Sequence, residues 1–402
     1  MLRKAVSGIV LMLLLTSMLT LAFNIQPAKA EPKIITVPDD YPTVQEAINA
    51  ASDGDTIFVK TGIYHEHLDV NKAVSLVGEN TVTTIIDGSG TGRVVYIDRS
   101  NVTISGFTIK NGSTGIELQL DWSTSTYPRW VEISGNIIAN NTYRGILLRG
   151  ISGIICNNTI VSNREGIYFD VAKYYNLSYN TIASNYESGI QIAQDSPGNV
   201  FRHNNLSGNG WNFGVFAGYT YDFVQDIDSS NTVDGKPVYY LVNEHDKQVP
   251  TDAGYVAAVN CVNITIRDLS LTNNLQGVLF AGTTNSTIEN VNASNNWIGI
   301  HLMLASSQNI IYNNTIKSNE WRGIELMVGC SQNNISRNNL EKEAIESFAK
   351  KNNMKALDFI PFDQTVVDSE MRGETPLKHK DSKAIHAIEK LCNKLTTMAK
   401  NN

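Results

Sequence analysis

Apolar and polar positions alternate in short runs along most of the chain, and eight runs open on a glycine. They are Gly115-Ile-Glu-Leu, Gly145-Ile-Leu-Leu, Gly166-Ile-Tyr-Phe, Gly189-Ile-Gln-Ile, Gly214-Val-Phe-Ala, Gly277-Val-Leu-Phe, Gly299-Ile-His-Leu and Gly323-Ile-Glu-Leu. By position these glycines recur 30, 21, 23, 25, 63, 22 and 24 residues apart, a period of one solenoid coil broken by one long interruption. A unit of that length cannot bury a face alone, so the coils must stack. The period predicts an all-β chain, a parallel β-helix solenoid over residues 31–340 in which residues one and three after each glycine point inward.

Strand alternation then turns positions two and four outward. This gives an outer column of Glu117/Gln119, Leu147/Arg149, Tyr168/Asp170, Gln191/Ala193, Phe216/Gly218, Leu279/Ala281, His301/Met303 and Glu325/Met327. With coils about 4.8 Å apart, such a column forms a groove suited to a polymer. An asparagine precedes most of the glycines, and stacked asparagines can hydrogen-bond from coil to coil as in cross-β ladders.

Upstream of the repeat, Thr43-Val-Gln-Glu46 has the form of a capping box, and Val44, Ala47, Ile48 and Ala51 follow at helical spacing. A short helix is expected there as a plug for the N-terminal mouth. Strands are expected near 57–59, 74–77, 84–86 and 94–97. The interruption, 219–260, carries Asp234-Gly-Lys-Pro237 before an apolar run and reads as a hairpin or flap projecting from the stack.

Residues 1–30 combine Arg3 and Lys4, an apolar run over 9–23 and Ala28-Lys-Ala30, the pattern of an export signal cut before Glu31. The alternative is an uncleaved anchor, although the run falls short of the roughly 20 residues of a spanning helix. Both place the body outside the cytoplasm. The formal charge is −7 and no basic cluster lies on the repeats, which argues against a nucleic-acid partner. Cys156, Cys261, Cys330 and Cys392 have no paired spacing and read as small apolar side chains, with a disulfide as the alternative. Asn-x-Ser/Thr sequons are dense, at Asn101, Asn140, Asn157, Asn176, Asn205, Asn263, Asn292, Asn313 and Asn334 among others; repeated turns between strands produce the same composition.

Pro42-Thr-Val-Gln-Glu-Ala-Ile-Asn-Ala-Ala, Gly54-Asp-Thr-Ile-Phe-Val, Gly62-Ile-Tyr-His-Glu and Val74-Ser-Leu-Val-Gly resemble the opening of pectin-lyase-like right-handed parallel β-helices. Asn231-Thr-Val-Asp-Gly-Lys-Pro-Val-Tyr-Tyr-Leu-Val-Asn resembles the NosD-type periplasmic copper-binding β-helix family. The resemblance implies a right-handed single-stranded coil, a periplasmic, secreted or cell-surface location and, on the NosD side, copper and a membrane transporter as partner. It implies no single activity, because this fold hosts lyases, hydrolases, esterases, epimerases and binders.

After Leu340 the composition becomes Lys/Glu-rich with helical spacing, which predicts a short α-rich tail over 341–402. Asn353-Met-Lys-Ala-Leu-Asp-Phe-Ile-Pro-Phe-Asp363 resembles the C-terminal end of MinD/nitrogenase-iron-protein-type P-loop ATPases, yet the chain has no Gly-rich phosphate loop. The tail reads as an appended fragment, or alternatively as a cap on the C-terminal mouth.

Candidate chemistry falls on the outer column. Tyr143, Trp297 and Trp321 each stand two residues before a glycine, and two stacked indoles offer a flat surface for the C–H face of a sugar. With Arg149, Tyr168, Asp170 and Gln191 they form the expected carbohydrate site, its ligand a polysaccharide or surface glycan. Binding is favoured over catalysis. Glu117 and Asp170 lie two coils, roughly 10 Å, apart, beyond the span of an inverting glycosidase pair. The paired-Asp, His and Arg-x-Lys signatures of polygalacturonases and the motifs of pectin methylesterases are absent. A polysaccharide lyase or hydrolase stays as an alternative. No cofactor is required by this reading; copper is the one candidate. His301 and Met303, with Glu325 and Met327 one coil later, make a soft donor set suited to Cu(I); His65 and His67 form a second pair without a third ligand.

Overall fold

The computed structural model describes residues 31–119, 126–327, 329–340 and, within 382–390, all but 384. The proposed export signal, nearly all of the α-rich tail and Cys392 lie outside them. The described chain is an all-β solenoid of parallel strands. Thr56–Val59, Ser75–Gly78, Thr84–Asp87 and Arg93–Ile97 stand where alternation places strands. The helix is Val44–Ala50; the Thr43 hydroxyl accepts the Glu46 N–H at 3.2 Å. Glu66, one coil on, accepts the N–H groups of Val44 and Gln45 at 3.0 and 2.9 Å, which gives Gly62-Ile-Tyr-His-Glu66 a structural task. Val44, Ala47 and Ile48 are fully buried against the first strands.

Successive coils of the first stack from Asn136 onward repeat the same bonding. Asn163 Oδ1 accepts from the backbone N–H and the Nδ2 of Asn141, while Asn163 Nδ2 donates to the Ile138 carbonyl and to Asn185 Oδ1. A second ladder runs through Asn136, Asn158, Asn180, Asn204 and Asn231. These amides are buried but satisfied, so they fix register at no desolvation cost. Beside them the recurring glycine is obligatory: a Cβ on Gly166 would lie 2.4 Å from the Gly189 carbonyl oxygen. Sequon asparagines occupy other positions. Asn140 and Asn157 are exposed, at left-handed φ of 56° and 54°, one residue before the buried ladder amides.

The interruption is where the structure departs from the sequence-based expectation. Residues 219–260 do not project as a flap; they thread through the sheets and reverse the chain. Thr232–Val233 pairs parallel with Asn205–Ser207 on one side and antiparallel with Lys236–Val242 on the other. Asp234 and Gly235 make the turn at φ of 47° and 78°, the left-handed values of a two-residue hairpin. From Lys236–Val242 onward pairing is parallel again, so a 13-stranded sheet runs on through Tyr255–Val259, Gln276–Ala281, Ile298–Met303 and Arg322–Leu326.

Reversing the strands moves the interior to the opposite face of that sheet. Val238, Tyr240, Tyr255, Ala257, Leu279, Ala281 and Met303 belong to the first interior, whereas Val256, Ala258, Val278, Phe280, Ile300 and Leu302 belong to a second. Two stacks result, turned about a half-rotation from one another, and the double change preserves the winding sense. The face of the second stack that should be outermost abuts the end of the first. The outer column is therefore not one continuous groove: His301, Met303 and Glu325 are buried, as are Leu279 and Ala281. Cys261 is buried, Cys156 and Cys330 are half-buried, and these three are unpaired.

Candidate functional site at the junction of two stacks

Where the stacks meet, a cleft of about 580 Å³ opens between the outer face of the first and the reversed face of the second. Arg144, Arg149, Tyr168 and Asp170 line one wall, Phe216 and Gln194 its end, Met303 and Met327 the other wall. Arg149 Nε donates to Asp170 at 2.7 Å and Nη1 to Gln119 at 2.8 Å, with Glu117 3.8 Å away. One guanidinium thus joins the two carboxylates that sequence spacing leaves two coils apart. Arg144 donates to Glu165 at 2.6 Å while its plane covers the rings of Tyr168 and Tyr143, at 3.9 and 4.2 Å. Gln191 pairs in register with Tyr168 but stands outside the lining, and Tyr143 is exposed above Arg144.

Trp297 and Trp321 are stacked, 4.6 Å between centroids and 23° between planes. Phe216 meets both edge-on, at 5.1 and 6.1 Å, and Trp211 closes the cluster at 6.3 Å from Trp297. Trp321 is 44 % exposed, with the Arg322 guanidinium over its ring at 4.3 Å, so the stack reaches the surface as an indole edge flanked by a cation. Sequence reasoning missed Arg144, Trp211 and the part of Phe216 as the hinge between aromatic cluster and cleft. Trp211 lies three residues before Gly214 where its counterparts lie two before theirs, and the half-rotation that joins them has no local signature.

Beneath Phe216 lies His301, fully buried, its ring 6.0 Å from the phenyl ring. Both ring nitrogens lack a hydrogen-bond partner, as does Oε2 of buried Glu325, 3.6 Å from Nε2. Burial, with the Arg322 charge second, lowers the imidazole pKa to about 4 and keeps it neutral. Arg322 pairs with the other Glu325 oxygen. His301 and Glu325 are register partners, and Met303 and Met327 follow each at i+2. Elsewhere His67 bonds the Arg93 carbonyl and His65 approaches Ser89. Among the described residues no three His, Cys, Asp or Glu side chains converge as metal ligands.

Residues 48–233 match the family model "Periplasmic copper-binding protein (NosD)", and residues 227–356 match "Right handed beta helix region". The chain is a right-handed parallel β-helix protein. The two matches meet at the hairpin that reverses the β-helix. A "Cell surface glycoprotein" of Methanothermus fervidus is 25 % identical over 198 residues, 47 % of this β-helix chain and 30 % of the relative, so the chain spans under a third of that protein's length. Among solved structures, an alginate lyase from Paenibacillus sp. is 14 % identical, covering 76 % of this chain and 99 % of that one, TM-score 0.41. The A-module of a mannuronan C-5 epimerase from Azotobacter vinelandii is 16 % identical, covering 74 % and 93 %, TM-score 0.41. No helix among the described residues is long and apolar enough to cross a membrane.

Proposed function

We propose that this β-helix protein is exported to the cell surface or periplasm and binds a polysaccharide at the junction of its two stacks. The observation that carries the reading is the Trp297/Trp321 stack, part-exposed at Trp321 beside Arg322 and joined through Phe216 to a cleft lined by paired hydrogen-bonding side chains. Indole faces take up the C–H faces of sugar rings, and the Arg149–Asp170 and Arg144–Tyr168 pairs offer donors and acceptors to hydroxyls. Catalysis is not part of the reading, since Arg149 sits between Glu117 and Asp170 and holds both as ion-pair partners. Residues 1–30 act as the export signal, the helix Val44–Ala50 closes the N-terminal mouth, and 341–402 is an appended fragment. Similarity to a cell-surface glycoprotein and to a periplasmic family supports the location. Electrophoresis of the full chain through native gels containing a neutral glucan, a mannan or alginate tests the reading. Retardation by at least one polymer, lost in Trp321→Ala, is expected; unchanged mobility in all three, or retardation that persists in the variant, counts against it.

A second reading has its own support. The unpartnered imidazole of His301 is kept neutral beside Met303, with Met327 and Glu325 in the next strand, and this donor set fits Cu(I) held as cargo. Copper would supply a soft centre for thioether and imidazole donors; the chain supplies a buried, neutral histidine. Titration with Cu(I) against a competing chelator is expected to show one site, weakened at least tenfold in Met303→Leu/Met327→Leu. Equal affinity of that variant and the parent removes the reading.

A further inference from the structure

One corner of the first stack carries bulky residues in a backbone conformation that disfavours them. By strand register, Asn101, Trp130, Ser152, Tyr174 and Gly198 follow one another along the corner, one per coil. All five have positive φ: 59°, 57°, 66°, 60° and 71°. Asn and Gly suit that region; for a bulky side chain it is an outlier that folding has to offset. Yet Trp130 and Tyr174 are 68 % and 61 % exposed, so their rings gain little from the protein's own interior. Gly198 yields space to one of them, since a Cβ there would come within 2.7 Å of the Tyr174 ring.

The two aromatics are two coils, roughly 9.6 Å, apart along the axis. Only the small Ser152 stands between them in the column. A groove of about 480 Å³ opens there, with Gly153 and exposed Ile154 on its floor and Asn101, Thr103, Glu132 and Asn176 around its rim. Glu132, which accepts the Ser134 hydroxyl at 2.8 Å, is the only charged side chain among the described residues of that lining. An acidic sugar would meet this carboxylate with no cation to offset it. The junction cleft, by contrast, has two arginines.

We infer that the Trp130–Tyr174 corner is a second carbohydrate site, a subsite for a neutral pyranose held between or against the two aromatic faces. Apolar C–H faces meet the rings, and the rim amides and Glu132 meet hydroxyls. This site is separate from the junction cleft and stands whether or not the cleft binds. Two sources supply such a ring: a free polysaccharide, or a glycan attached at Asn101 or Asn176, each of which heads an Asn-x-Ser/Thr sequon.

Saturation-transfer NMR on the full chain tests it, with methyl β-glucopyranoside, methyl α-mannopyranoside and methyl β-galactopyranoside as neutral probes and methyl glucuronide as the charged one. Measured in the Trp321→Ala background, so that the junction does not contribute, at least one neutral glycoside is expected to show transfer to its ring C–H protons, more than halved when Trp130→Asn or Tyr174→Ala is added. The glucuronide is expected to give less than the neutral probe. Trp130→Asn is also expected to raise the melting temperature, because asparagine fits the left-handed corner. Absence of transfer from every neutral probe, transfer unchanged in both corner variants, a stronger glucuronide signal, or a fall in melting temperature for Trp130→Asn would each overturn the inference. Mass spectrometry of the native protein separates the sources: a hexose series on Asn101 or Asn176 assigns an attached glycan, and unmodified asparagines assign a free one.

Discussion

The ring of Phe213 stands edge-on to that of Tyr255, 5.0 Å between centroids, although the two residues belong to coils that wind around different interiors. Phe213 points inward from the last glycine strand of the first stack, and Tyr255 points away from the core of the second. Their contact, with the Leu275 N–H donated to the Phe213 carbonyl at 3.0 Å and Gln276 Nε2 to the Val215 carbonyl at 3.1 Å, shows how one stack ends on the other.

Tyr255→Ala is therefore expected to cost about 3–5 kcal/mol, the range of a buried aromatic, rather than the few tenths typical of an exposed sheet face. Urea unfolding followed by circular dichroism measures it. Both stacks are expected to unfold in one transition that moves to lower urea in the variant.

Asn185 and Asn157 separate the two uses of asparagine. Asn185 is buried, accepts from Asn163 and donates to the Ile160 carbonyl and to Asn209, so Asn185→Ala strands several polar groups at a cost of about 2–4 kcal/mol. Asn157 is exposed at positive φ, so Asn157→Gly is expected to change stability by no more than about 0.5 kcal/mol. Thermal unfolding of the two variants provides the comparison.

His301 makes stability depend on pH. Its folded pKa of about 4 lies below the ordinary 6.5, so the unfolded chain takes up the proton first as pH falls. The histidine's contribution is complete above pH 6.5 and is lost between pH 6.5 and 4, reaching about 3 kcal/mol at the lower end. His301→Leu is expected to flatten the fall in melting temperature over that window while leaving the profile above pH 7 unchanged.

Much of the fold was legible because its determinants are local and periodic. The glycines of the repeat, the inward pairs such as Ile167 and Phe169, and the ladder asparagines each act within one coil or on the next. The half-rotation between stacks was not legible. It depends on Asp234-Gly235 placing Lys236–Val242 antiparallel to its neighbour, after which Leu279, His301 and Met303 keep their outward phase but meet protein instead of water. For the same reason the expected carbohydrate residues, Arg149, Tyr168 and Asp170 on one side and Trp297 and Trp321 on the other, are separated in sequence by about a third of the chain but adjoin through Phe216. The Trp130 corner escaped notice because left-handed φ at a tryptophan leaves no trace in the residue pattern.

The central claim is that the indole stack and the cleft beside it bind one glycan. Isothermal titration of the full chain with hexasaccharides of the polymer that retards it most, repeated on Trp297→Ala/Trp321→Ala and on Arg149→Ala, tests it most directly. The expected result is a loss of at least tenfold in affinity in both variants, with melting temperatures confirming that each is folded. Affinity unchanged in both would contradict the account and assign the aromatic cluster to packing alone.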